Sequence, residues 1–427
     1  MRWANSDFFL FNFLNSGIPQ LGRLFSAQGL PFGLIAVVNV VMVAVLSPAE
    51  RGRAAAVVTA GTLLASVGFL NLQLGVVAGY RRGEVSTPAR GLCVMGLISA
   101  LLVMISSAAL ALPSAVATLG LGQPVDVVIC LTGASLALIS LYAARVLQGL
   151  GRAGAYLYIT AGQAVAYAVC IFGLAATKEL TGRTAALSWA VAGGVAALTG
   201  VVLLTPLLRT GGRPWVRGAG VIRQSLSGHL AACAYQLLYR ADLLLLASFA
   251  TAGDVGQYAL AVAAAEVVWR VAEALALSVY AQGPAESGAA NHGKRLEQHL
   301  RAYRKIAAPL SALSVLGLGG SVALFVPDYQ ESVWLLLILL PGVVAGGELR
   351  IRLGALNADS TATHRVRVLA GLAAVSCLAY VPAIAWWHAA GAAGASTAVY
   401  ALNALAARRL TAAPRADEPV NERLATS

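Results

Sequence analysis

SLSGHLAACAYQLLYRADLLLLASFATAGDVGQYALAVAAAEVVWRVAEAL, residues 225–275, carries most of what this chain says about its fold. It holds two apolar runs, 224–249 and 255–280, each long enough to cross a bilayer core that takes about 20 helical residues. The short turn ATAGDVG (250–256) makes them antiparallel neighbours. Five ionisable residues lie deep inside them: Arg240 and Asp242 in the first run, Glu266, Arg270 and Glu273 in the second. A central charge costs about 2.5–3.5 kcal/mol to insert, so five unpaired ones would cost roughly 12–17 kcal/mol. They are expected to pair, to face water, or both. Glu266, Arg270 and Glu273 stand at i, i+4 and i+7, on one helix face. On the first run His229, Cys233, Gln236 and Arg240 form one stripe, and Tyr235, Tyr239 and Asp242 another. Counted from the turn, Asp242 and Glu266 lie at similar depth, roughly 16–20 Å below it. Arg240 and Arg270 are therefore placed to meet Glu266 or Asp242 across the hairpin.

The rest of the chain agrees. Of 427 residues, 59% are hydrophobic and 11% charged, with mean hydropathy +0.76. Soluble domains run near 45–50% apolar and about 25% charged, so an ordinary soluble enzyme and a disordered chain are both excluded. Twelve spans are expected, near 25–46, 54–80, 91–118, 125–148, 153–176, 185–207, 224–249, 255–280, 304–327, 332–353, 366–387 and 389–407. Residues 8–14 (FFLFNFL) are too short for a span and lack a signal-peptide pattern, which predicts an interfacial segment.

Charge sets the expected orientation. Of 30 Lys and Arg, four (Arg51, Arg53, Lys178, Arg183) fall in the outer loops if the N-terminus is inside; Arg240 and Arg270 are intramembrane, and the other 24 are on the inner side. Both termini are thus expected inside. Trp189, Trp334, Trp386 and Trp387 fall at outer span ends, as an aromatic belt would. The same bias accounts for the net charge of +12 without a nucleic-acid partner. The five cysteines sit singly in apolar runs, with no zinc or disulfide spacing. Of the basic residues 27 are Arg, in an Ala-, Gly- and Val-rich chain, the composition of a GC-rich bacterial gene. No loop is long enough for a soluble catalytic domain, so no enzyme and no cofactor is expected, a coupling Na⁺ or H⁺ apart.

A repeat is visible. VLSPAERGRAAAV (45–57) aligns with SFATAGDVGQYALA (248–261) when Gly52 is set on Gly256, an offset of 204. LQGLGRAG (147–154) aligns with LGALNADS (353–360) at 206. The reading is two parallel six-span lobes, 1–212 and 213–427, joined by a Gly- and Arg-rich linker at about 207–222.

LSPAERGRAAAVVTAGTLLASVGFLNLQLGVV (46–77), LQGLGRAGAYLYITAGQAVAYAV (147–169) and the 225–275 hairpin resemble the multidrug/oligosaccharidyl-lipid/polysaccharide (MOP) superfamily, and its polysaccharide and O-antigen (Wzx-type) flippases in particular. The resemblance covers spans 1–8; spans 9–12 follow it in spacing. It implies an all-α, MATE-like membrane fold of two six-helix lobes around a cavity open alternately to either side. It also implies a polyprenyl-pyrophosphate-linked oligosaccharide as cargo, in a bacterial cytoplasmic membrane, with membrane lipid and other polysaccharide-assembly membrane proteins as partners. A cation-coupled exporter of the same fold is the alternative. A membrane polymerase or ligase would need larger outer loops.

Three readings of the intramembrane charges stay open. They form a buried ion-pair lock between spans 7 and 8; or Arg240 and Arg270 bind an anionic headgroup through their bidentate forks; or Asp242 or Glu266, as in the exporter branch the chain resembles, takes Na⁺ or a proton. The first lobe carries Ala36, Val38, Thr62, Ser66 and Phe69 at the matching positions, and offers Asn39, Asn71 and Gln73 instead. The cavity candidates are thus Arg240, Arg270, Gln236, Asn39, Asn71 and Gln73; Asp242, Glu266 and Glu273 are the coupling or ion-pair candidates. His229 is read as solvated at a span end. The run ELRIR (348–352) is read as a snorkelling interfacial cluster.

Overall fold

The structure, a computed structural model, describes residues 19–81, 87–111, 123–150, 152–208, 218–281, 289–358 and 363–412. The segment 8–14 and most of the 207–222 linker lie outside the described residues. The described chain is helical throughout: α1 (Pro19–Val45), α2 (Pro48–Gly68), α3 (Leu72–Arg81), α4 (Thr87–Ala111), α5 (Pro124–Gly149), α6 (Ala153–Ala176), α7 (Gly182–Leu208), α8 (Gly218–Phe249), α9 (Ala252–Ala281), α10 (Ala289–Phe325), α11 (Gln330–Ala358), α12 (Thr363–Ser376) and α13 (Tyr380–Ala412). Helices are the natural solution for so apolar a chain, because each satisfies its own backbone where water is absent.

Eight described stretches are long and apolar enough to cross a membrane, and the last, His364–Thr411, folds back at His388 and holds two spans. α1, α2 with α3, and α9 complete the twelve. α2 and α9 fall short on apolarity because of their own charges: Glu50, Arg51 and Arg53 in α2; Asp254, Glu266, Arg270 and Glu273 in α9. This is a multi-pass membrane protein.

Two expectations change. The second span is not one helix. It breaks after Gly68, with Leu70 and Asn71 both at φ 51°, and restarts as α3. Trp189 is not part of an interfacial belt. Its ring is wedged against α2 and α5, where Gly61 and Gly133 leave room that a Cβ would fill. Trp334, Trp386 and Trp387, by contrast, are exposed at span ends.

Burial falls into separate clusters. One large cluster gathers residues 234–407 with Val43; four smaller ones lie within 38–207. The two sets of helices meet chiefly through α2 on α9 and through α8 on α2 and α3.

The α2–α9 contact has a particular form. A Cβ on Gly52 would strike the Ala252 carbonyl, and one on Gly256 would strike the Pro48 carbonyl. Pro48 to Ala252 and Gly52 to Gly256 are both 204 positions, so the contact is its own image under the repeat. The helix starts match as well. Ser47 accepts from the Glu50 amide at 3.4 Å, and Thr251 accepts from the Asp254 amide at 3.2 Å while Asp254 accepts from the Thr251 amide at 3.0 Å. The capping arrangement thus recurs at the repeat offset.

Candidate functional site

α8 and α9 bring the intramembrane charges together in one partly exposed cluster. Arg240 binds Glu266 at 3.0 Å across the hairpin. On α9, Arg270 lies between Glu266 (3.5 Å) and Glu273 (3.1 Å), as the i, i+4, i+7 spacing requires. Arg350 of α11 reaches Glu273 at 3.5 Å, with its guanidinium over the rings of Tyr239 (4.4 Å) and Trp269 (5.0 Å). Arg145 of α5 lies within electrostatic reach of Glu273. Arg350 corrects the interfacial reading of ELRIR: α11 packs on α9, and this places the side chain inside the bundle. Gly346 and Gly347, on the same helix, leave space for Trp269 and for Tyr303.

Asp242 is a second correction. It makes no ion pair among the described residues. It is buried and accepts from the Tyr258 hydroxyl (2.5 Å), the Ser396 hydroxyl (2.9 Å) and the Leu243 amide (2.7 Å). Ser396 also lies 3.2 Å from the Tyr380 hydroxyl. Arg240, two residues away on α8, turns to Glu266 instead. A void of 10 Å³ separates the two systems, lined by both Asp242 and Glu266 with Tyr239, Trp269 and Tyr400. That is about the smallest space that holds one water.

Arg270 and Glu273 line a cavity of 320 Å³ between the two sets of helices. Its other wall comes from α1 (Pro31, Phe32, Ile35), α6 (Tyr156, Thr160, Gln163, Tyr167) and Trp189 of α7. Phe32 stacks under the Arg270 guanidinium at 4.4 Å. Glu266 carries the contact from this cavity to Arg240.

The remaining candidates lie elsewhere. Gln236 is exposed, one turn from Arg240. Asn71 and Gln73 face each other at 3.4 Å at the α2–α3 break. Asn39 donates to the Ile35 carbonyl and accepts from Arg51 at 3.0 Å. Arg51, counted from sequence as an outer-loop residue, is only 4% exposed because the first turn of α2 packs against α9. His229 is buried beside Cys233 (3.3 Å), not solvated. Arg350, Arg145 and the α6 aromatic wall escaped the sequence reading. Arg350 could have been found as the residue whose run stands at transmembrane depth if α11 extends past position 353. The α6 residues carry no local signal.

No family model matches the chain, and no curated protein matches it. Solved structures do. The lipid II flippase MurJ in an inward closed conformation superposes with a TM-score of 0.68 at 13% identity, over 90% of this chain and 86% of that one. An inward-facing MATE-family multidrug resistance transporter of the MOP superfamily gives 0.67 at 13% identity, over 90% and 98%. An outward-facing one gives 0.62 at 13% identity, over 92% and 95%. The fold is that of the MOP-superfamily transporters. At such identities the likeness is one of architecture.

Proposed function

We propose that this chain is a lipid-linked oligosaccharide flippase of a bacterial cytoplasmic membrane. It would carry a polyprenyl-pyrophosphate glycan across by alternating access between two lobes, 1–212 and 213–427. The observation that supports this best is the charge balance at the cavity. Arg240, Arg270 and Arg350 stand against Glu266 and Glu273, and Arg145 lies nearby. Ion pairing alone would leave no surplus; here three guanidiniums share two carboxylates in a network that meets the cavity through Arg270 and Glu273, and an uncompensated cation at membrane depth is costly. An anionic headgroup would remove that cost. Guanidinium forks suit phosphate oxygens, and the Tyr156, Tyr167 and Trp189 rings with Gln163 give an amphipathic wall for sugars.

With both termini inside, the reciprocal Gly52–Gly256 contact is the closed outer end. The better match to inward-facing than to outward-facing relatives supports that orientation. Reporter fusions at Gly253 and Lys178 should read as external; a cytoplasmic reading at Gly253 overturns it.

Asp242 favours a second feature, cation coupling. A buried carboxyl held by hydroxyls and an amide, with a one-water void toward Glu266, suits a proton. The same feature would serve a cation-coupled exporter. Proteoliposomes separate the two. Wild-type chain should expose a fluorescent lipid-linked oligosaccharide to an external quencher, and Arg270→Gln with Arg350→Gln should not. Proton-driven efflux of small cationic dyes, without glycolipid translocation, would establish the exporter reading instead.

A further inference from the structure

One position breaks the symmetry of the α2–α9 contact. Gly52 corresponds to Gly256 at an offset of 204, and at the same offset Arg51 corresponds to Val255. Both are buried beside the paired glycines: Val255 is 2% exposed and Arg51 4%. A seal made by packing alone would carry an apolar side chain in both places. Here one of the two is a guanidinium.

That guanidinium is poorly provided for. Its Nη2 donates to the Asn39 side-chain oxygen at 3.0 Å, while Nε and Nη1 are buried with no hydrogen-bond partner among the described residues. The acids at the two helix starts are engaged elsewhere. Glu50 gives one oxygen to Arg53 (2.6 Å) and the other to the Gly182 amide (2.6 Å). Asp254 accepts from the Thr251 amide (3.0 Å) and hydroxyl (2.7 Å). Tyr167 and Tyr329 lie within electrostatic reach of Arg51, and both are neutral. Their hydroxyls are directed to the Met42 sulfur (3.4 Å) and the Leu46 carbonyl (2.9 Å).

Part of the cover over Arg51 comes from the other half of the chain. Tyr329, 1% exposed, belongs to the large cluster of residues 234–407 and reaches across to Leu46. The next residue, Gly52, lies against the Ala252 carbonyl. Parting the two sets of helices at this end would return the guanidinium to water. A buried charge with no counter-charge costs more than an apolar side chain of its size, and this cost falls on the closed arrangement alone.

We propose that Arg51 loads the closed outer end: its uncompensated charge biases the transporter toward outward opening, against the packing of Gly52 on Gly256. This rests on the reading of that contact as the closed outer end. A side chain that simply held the seal shut would act with the opposite sign, so the sign is the test.

The experiment uses Ala55→Cys, one turn inward of Arg51 and packed against the large cluster, in the full chain with its five native cysteines replaced by alanine. Right-side-out and inside-out vesicles are labelled with two membrane-impermeant thiosulfonates, one anionic and one cationic. The pair separates a change in opening from a change in local reagent concentration. Arg51→Met should lower the outside labelling rate several-fold with both reagents; Arg51→Gln serves if that variant does not fold. Arg51→Lys keeps the charge and should label as the wild type does. Asn39→Asp supplies a counter-charge and should also lower the rate, but not when Arg51→Met is present. Outside labelling that is unchanged or faster in Arg51→Met overturns the proposal and leaves the orientation standing. So does an effect of Arg51→Met that reverses between the two reagents. Wild-type labelling from the cytoplasmic side alone, or from neither side, removes the closed outer end itself and the role of Arg51 with it.

Discussion

α2 and α9 pack against each other through glycines 204 residues apart, Gly52 and Gly256, and their inner faces do opposite things. On α9 the stripe is Glu266, Arg270 and Glu273; its side chains pair with each other and reach out to α8 and α11. On α2 the repeat-equivalent stripe is Thr62, Ser66 and Phe69. Thr62 donates to the Val58 carbonyl and Ser66 to the Thr62 carbonyl, so both hydroxyls are spent on their own helix. α2 then breaks just past Phe69, whereas α9 runs on through Glu273 to Ala281. Val38 and Asp242 differ in the same way. Val38 is sealed in an apolar cluster with Met42 and Ile171, and Asp242 is surrounded by hydroxyls. One backbone plan thus carries an electrostatic wall and a packing wall. Charge survives only where neighbouring elements bring partners to it.

The comparison can be broken in three ways. Putting the charge in the wrong half should have the largest effect. Val38→Asp buries a carboxyl with no donors, at a cost of several kcal/mol. It should give no folded protein by size-exclusion profile, while Asp242→Val should still fold and lose only cation dependence. A well-folded Val38→Asp would show the halves to be electrostatically interchangeable. Next comes Glu266→Leu, which strips a partner from both Arg240 and Arg270. Between the cost of about 0–1 kcal/mol for exposed pairs and about 3–5 kcal/mol for buried ones, about 3 kcal/mol is expected here, read as a lowered Tm. Ser66→Ala should shift stability by less than about 0.5 kcal/mol.

The seal sharpens the likeness instead of the difference. Gly52→Ala and Gly256→Ala each place a methyl on a backbone carbonyl of the facing helix, an overpacking of about 1–3 kcal/mol. The two should be equal within error, and each should raise thiol labelling of a cysteine placed at the Gly52 end. Unequal effects would mean that the contact is symmetric in geometry only. A small effect also belongs to Arg183→Ala. Its bonds to Asp126 (3.0 Å) and Gln123 (2.6 Å) are exposed, so Tm should move by no more than about 1 kcal/mol allows.

The pairing network also alters an experiment that the sequence would have prompted. Replacing Arg270, Glu266 and Glu273 together looks, from the α9 stripe alone, like removal of a complete charge set. It would leave Arg240 and Arg350 without their carboxylates. A neutral set must include both.

How much was legible varied with range. The twelve spans, the α8–α9 hairpin and the Arg270 stripe were readable because helix period and bilayer thickness act within a single span. The second span misled, because nothing in GFLNLQ (68–73) departs from an apolar helix; the break is a tertiary accommodation at Leu70 and Asn71. The capping arrangements at Ser47 and Thr251 were there to be read as support for the repeat.

By itself the sequence determined that the chain lives in a membrane, that it folds into about twelve helices and which residues carry charge into the spans. Those properties follow from transfer energies and local periodicity, which each segment possesses alone. Only the tertiary structure decided that Arg240 goes to Glu266 and Asp242 to hydroxyls, that Arg350 joins the charge cluster and Arg51 leaves the loop, and that α6 supplies the opposite wall. Partners such as Glu273 and Arg350, or Asp242 and Ser396, stand far apart in the chain and are chosen by helix packing. No one-dimensional pattern encodes which helix will stand beside which.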